Sequence, residues 1–93
     1  MDDHARLQAL LELAESVGLA VRYAARAEAA SFEGSPGGAL VKLRGREILF
    51  LDSAAALGDR IAVAAAALKG RPRIEEVFIP PEIRELIERG DPA

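Results

Sequence analysis

The stretch from Ala39 to Leu51 constrains this chain most. Two apolar runs, Ala39–Leu43 and Arg46–Leu51, flank the dipeptide Arg44-Gly45. An X-Gly pair between alternating apolar runs predicts a β-hairpin with a two-residue turn. That loop length sets Leu43 opposite Arg46, Val41 opposite Ile48 and Ala39 opposite Phe50, all on one face. The other face carries Leu40, Leu49 and Leu51, with Lys42 opposite Glu47 as an expected cross-strand charge pair. Away from the turn both faces are apolar. A sheet of that kind must be covered on both sides, so the chain must fold in layers.

The covering elements are legible on either side of the hairpin. Leu7, Leu10, Leu11, Ala14 and Val17 recur at helical spacing, with Asp2 or Asp3 as a cap and Gly18 as the stop. Leu19–Tyr23 alternates as a short strand. After Asp52 and Ser53, a helix is expected inside Ala54–Lys69, with Leu57, Ile61, Ala64 or Ala65, and Leu68 facing inward. Ser53 or Gly58-Asp59 would cap it, and Gly70 and Pro72 end it. Ile74–Ile79, which contains Val77, Phe78 and Ile79, reads as a short strand or an extended segment. Pro80-Pro81 opens a last helix with Ile83, Leu86 and Ile87 buried and Gly90 at its close.

The fold expected is therefore a small single α+β domain over residues 1–93. Its order is helix–strand–β-hairpin–helix–short strand–helix, with an antiparallel or mixed sheet packed by helices. Residues 31–38, which contain Gly34, Pro36, Gly37 and Gly38, read as a flexible loop, and 91–93 as a frayed tail. The first two helices would cover one face and the short last helix only part of the other.

Ninety-three residues support one domain, and 51% hydrophobic with 29% charged is a globular mixture. Much of the apolar share is alanine, which contributes little burial per residue. The core then rests on Leu, Ile and Val, with Phe32, Phe50, Phe78 and Tyr23 as the bulky pieces. A small core of this type often needs a second chain, so a homodimer is expected. The net charge of −3 argues against nucleic acid as a partner. No apolar run is long enough to span a membrane, and the acidic start is no secretory signal. A bacterial cytoplasmic setting is the default expectation.

Chemistry-bearing motifs are sparse. There is no cysteine, so disulfides and thiolate zinc sites are excluded. His4 is the only histidine and has no second ligand at helical spacing, so no stoichiometric zinc and no cofactor are expected. Ser16, Ser31, Ser35 and Ser53 have no neighbouring base and no nucleophile elbow. The glycines at 34, 37 and 38 precede a strand and lack the lysine of a phosphate loop. Lys42, Arg44 and Arg46 gather at the hairpin tip, and Arg71 with Arg73 forms a second basic pair. Such a tip can meet an acidic partner or a phosphate. Asp52 ends an apolar strand, where binding sites of α/β folds collect, although a turn cap is the simpler use. Lys42, Arg44, Arg46 and Asp52 are the candidate contact residues.

Several segments resemble a known family. Leu13-Ala-Glu-Ser-Val-Gly-Leu-Ala-Val21 resembles the opening helix and strand of ImmA/IrrE-type metallopeptidases. Gly38 through Asp52 resembles their glycine-led hairpin, Asp59-Arg60-Ile61 the start of their active helix, and Phe78-Ile79-Pro80 a later Phe/Leu-x-Pro stretch. The resemblance sets Ala65, Ala66 and Lys69 where that family's His-Glu-x-x-His supplies its first His, its Glu and its second His. Alanine cannot coordinate zinc or polarise water. The resemblance therefore implies a metal-free remnant with an inherited fold and no peptidase activity. A non-catalytic interaction or regulatory module is the function expected. The alternative is a small-molecule or anion-binding domain that uses the glycine-rich loop and the basic hairpin.

Overall fold

The structure, a computed structural model, describes residues 2–24, 37–69 and 71–89. Three helices and a three-stranded mixed sheet form an α+β fold: α1 (Asp3–Ser16), β1 (Ala20–Ala24), β2 (Gly38–Leu43), β3 (Arg46–Asp52), α2 (Leu57–Leu68) and α3 (Pro81–Arg89). A 3₁₀ turn over Pro72–Glu76 joins α2 to the last helix.

Each boundary has a local cause. The Asp2 carboxylate caps α1 by accepting from the Ala5 N–H at 2.8 Å. Gly18, at φ 93°, ends the helix. The Leu19 N–H there donates to the Ala14 carbonyl and the Gly18 N–H to that of Glu15, the paired bonds of a Schellman stop. The hairpin forms in the expected register, Leu43 with Arg46, Val41 with Ile48 and Ala39 with Phe50. Its turn holds Arg44 at φ 51° and Gly45 at φ 80°, both left-handed as a type I′ turn requires. β1 runs parallel to β3, with Ala20 beside Ile48 and Ala24 beside Asp52, giving the order β1-β3-β2.

All three helices gather on one side of the sheet. β3 presents fully buried Leu49 and Leu51 to Leu10 of α1, Leu68 of α2 and Ile83 of α3 within one continuous core. Each such side chain contributes about 2 kcal/mol by leaving water. α2 is buried around much of its circumference, through Ile61, Val63, Ala64, Ala65, Ala67 and Leu68. Its alanines let α1, the sheet and α3 approach it closely.

Four expectations are corrected. The segment at Val77–Ile79 is not a strand. Pro72 starts a 3₁₀ turn, where a fixed φ and a missing N–H cost nothing, and Ile74 and Ile79 plug the core from irregular backbone. Ser53 does not cap α2: its N-cap is Ala56, with no side-chain hydrogen bond. The last helix does not cover the second face of the sheet; α3 packs on α2 and α1, on the side already occupied. The aromatic residues do not fill the core. Phe78 is 85% and Tyr23 55% exposed, and Phe50 is half-buried on the side away from the described helices. The core is aliphatic. Phe32, Ser31, Ser35, Gly70, Gly90, the loop at 31–36 and the tail at 91–93 lie outside the described residues.

Candidate functional site

The four candidate contact residues do not converge. Lys42, Arg44 and Arg46 stand exposed at the hairpin turn, while Asp52 is buried at the far end of β3. A strand of that length holds the two ends about 20 Å apart. Asp52 serves the local backbone: its carboxylate accepts from the Ala54 N–H at 2.9 Å and its carbonyl from the Ala55 N–H. This shapes the turn between β3 and α2. The described end of the glycine segment lies at the Asp52 end too. Gly37 and Gly38 are buried, and the Gly37 carbonyl accepts from the Asp52 N–H at 2.9 Å. Gly37 and Gly38 are therefore held by sheet and helix rather than by a mobile loop. They sit apart from the basic tip.

A different set of residues meets at the tip. Lys42 and Glu47 stand opposite each other as expected, and Glu47 gains a second, hydrogen-bonded cation from farther along the chain. Arg71, just past α2, donates through Nη1 and Nη2 to the two carboxylate oxygens of Glu47 at 2.9 and 2.6 Å, while its Nε donates to the Ala67 carbonyl at 2.7 Å. A planar fork matches a carboxylate better than a flexible ammonium does, which is why Arg71 wins over Lys42. The Arg71 hydrogen bonds hold the Glu47 carboxyl below its ordinary range, and Lys42 adds a smaller pull in the same direction. Glu47 in turn raises the Arg71 guanidinium further above its already high value.

Around this pair lies a cleft of about 440 Å³, lined by the end of α1 (Glu15, Gly18), the start of β1 and the hairpin turn (Gly45, Arg46). Arg73 reaches the same rim: its Nη1 is 3.9 Å from where a Cβ on Gly18 would stand. The two basic groups of the sequence, at 42–46 and 71–73, thus become one surface. Sequence spacing carried no signal for this, because Arg71 and Glu47 are 24 residues apart.

Two further concave regions exist. One, of about 470 Å³, lies where the starts of α1, α2 and α3 meet, and Arg6 ties it shut. Arg6 Nε donates to Glu82 at 2.8 Å and its Nη1 to Asp3 at 2.7 Å. The other is an apolar groove of about 350 Å³ between α1 and Val77–Pro80, with Phe78 on its rim.

No catalytic or metal-binding geometry emerges among the described residues, where no three of His, Cys, Asp and Glu gather around a common point. Ala65 faces the core, Ala66 is half-buried and Lys69 is the extended residue that ends α2. No described helix is long and apolar enough to cross a membrane. Compared with protein-family models, curated proteins and solved structures, the chain matches none.

Proposed function

We propose that this chain is a non-catalytic interaction module that self-associates as a homodimer through the side of its sheet opposite the helices. One observation carries the reading: every described helix lies on the Leu49/Leu51 side, and none of them lies over Val41 and Ile48. Leu43, on the same side of β2, is 48% exposed. Half-buried β-branched side chains on one sheet face gain most from a second apolar surface. A two-fold axis supplies that surface from an identical copy.

The absence of a catalytic constellation among the described residues supports a binding role over an enzymatic one. The reading also accommodates descent from a peptidase fold, since Ala65, Ala66 and Lys69 offer neither zinc ligands nor a base. A cytoplasmic setting belongs to the same proposal. The alternative, one anion site shared by the glycine-rich segment and the basic hairpin, is less well supported. Gly37 and Gly38 lie at the opposite end of the sheet from Arg44.

Sedimentation equilibrium over roughly 1–100 μM protein tests self-association. Twice the 9.9 kDa chain mass is expected, falling to one chain mass in Ile48→Glu. A single-chain mass for the unmodified protein across the whole range overturns the proposal.

A further inference from the structure

We infer that the hairpin end of the molecule is a second docking surface, whose partner is an acidic protein segment carrying an apolar residue. The inference goes beyond self-association and does not require it; the two surfaces meet at Leu43 and Arg46, and the cations Lys42 and Arg44 belong to the turn end alone.

The chain is acidic, at −3, but its charges are segregated. Among the described residues, Lys42, Arg44, Arg46, Arg71 and Arg73 come to this end. Glu15 and Glu47 share the cleft with them, and Glu76 sits 3.9 Å from Arg73. The end keeps a positive excess while the whole chain is negative. Three of the cations, Lys42, Arg44 and Arg46, are exposed side chains on a rigid turn. A field of this sign, focused by a cleft, attracts and orients an anionic partner.

The chemistry of the anion follows from what already occupies the site. Arg71 is already engaged by Glu47 through both arms of its fork, so an incoming carboxylate meets the exposed Lys42, Arg44 and Arg46 instead. Glu15 and Glu47 line the cleft walls and oppose any anion there, which leaves the exposed turn cations as the point of contact for spaced single charges rather than for a continuous phosphate chain. Among the described residues no aromatic ring stands at the hairpin turn to stack on unpaired bases; Tyr23 pairs with Leu51, at the other end of the sheet. Leu43, next to the cations, supplies the apolar contact. Carboxylates spaced along a peptide, with one leucine-sized side chain among them, match this pattern.

The probe is a fluorescein-labelled peptide of about ten glutamates with one central leucine, read by anisotropy at an ionic strength of about 20 mM. Saturable binding is expected, weakened roughly tenfold at about 200 mM salt. Arg46→Glu with Arg73→Glu should abolish it, and both positions are exposed enough to leave the fold intact. Lys42→Glu with Arg44→Glu is the second pair, used if the first fails to fold. Arg84→Glu with Arg89→Glu, on α3, should bind within about twofold of the unmodified chain. Absence of saturable binding at low salt overturns the inference, as does unchanged affinity in a folded tip variant. Tighter binding of a single-stranded DNA of equal charge overturns it in favour of a phosphate ligand. Lys42 lies on the opposite sheet face from Val41 and Ile48, so loss of peptide binding in Lys42→Glu with Arg44→Glu is independent of the sedimentation result.

Discussion

Gly37 rests directly on the backbone of Asp59. A Cβ built on Gly37 would fall inside contact distance of the Asp59 carbonyl and the Arg60 nitrogen, neither of which can swing aside. The start of the hairpin and the start of α2 are thus in backbone contact. Gly37→Ala is expected to cost about 2–3 kcal/mol, because helix and strand must separate to admit a methyl group. Urea unfolding monitored by circular dichroism measures it; a midpoint equal to that of the unmodified chain would contradict the packing.

Arg44 occupies a left-handed conformation that its side chain disfavours. Asparagine tolerates this conformation and completes the Asn-Gly pair preferred in type I′ turns. Arg44→Asn should stabilise the protein by about 0.5–1 kcal/mol, a rise in melting temperature of roughly 3–6 °C. A fall would show that the arginine makes contacts that outweigh its strain.

The Glu47–Arg71 pair makes stability depend on acid. The Glu47 carboxyl is held below its ordinary range, so its contribution is complete above the unfolded value of about 4.3. It is lost as pH falls through the lower folded value. Arg71 stays charged throughout. The Glu47 side chain is 40% exposed, so solvent screening keeps the effect below about 1 kcal/mol. Glu47→Gln should be the less stable protein at pH 7 and the gap should close near pH 3. Urea midpoints at the two pH values give the answer, and a gap that persists in acid would assign the loss to packing.

Ile83 and Phe78 should respond oppositely to truncation. Ile83 is fully buried between helices, and Ile83→Ala should cost about 2–5 kcal/mol, a large part of a small domain's stability. Phe78→Ala removes more atoms but less burial, and should change stability by under about 0.5 kcal/mol. Thermal melts of the two variants suffice. A severe loss at Phe78 would place that ring against a neighbour.

These contrasts mark what the sequence could and could not convey. The hairpin register was readable because the period of two, the Arg44-Gly45 turn and the apolar runs all specify one alignment. The limits of α1 followed from Asp2 and Gly18, residues whose chemistry is local. The triplet Val77-Phe78-Ile79 misled because apolar composition resembles a strand. The prolines at 72, 80 and 81 were the better guide, since each removes a donor that a sheet ladder needs. The side of the sheet chosen by α3 was not legible, because an amphipathic stripe says that a face is buried and not against what. The tip assembly was hidden for a related reason. Nothing local to Glu47 distinguishes an arginine brought in by the exit of a later helix from the lysine directly across the strand.

The parallel pairing of β1 with β3 also carries a kinetic consequence. β2 and β3 close across two residues, a microsecond event that costs little chain entropy. β1 can join only after β3 exists, since it adds to the free edge of β3 and brings α1 with it. Its partner residues, Ala20 with Ile48, lie much farther apart in sequence than any pair within the hairpin, so this closure is entropically more demanding than the hairpin's own. The transition state for folding should hold the hairpin and the start of α2 largely formed, with β1 still detached. Substitutions at Val41 or Leu49 should then slow folding, whereas those at Val21 should chiefly speed unfolding.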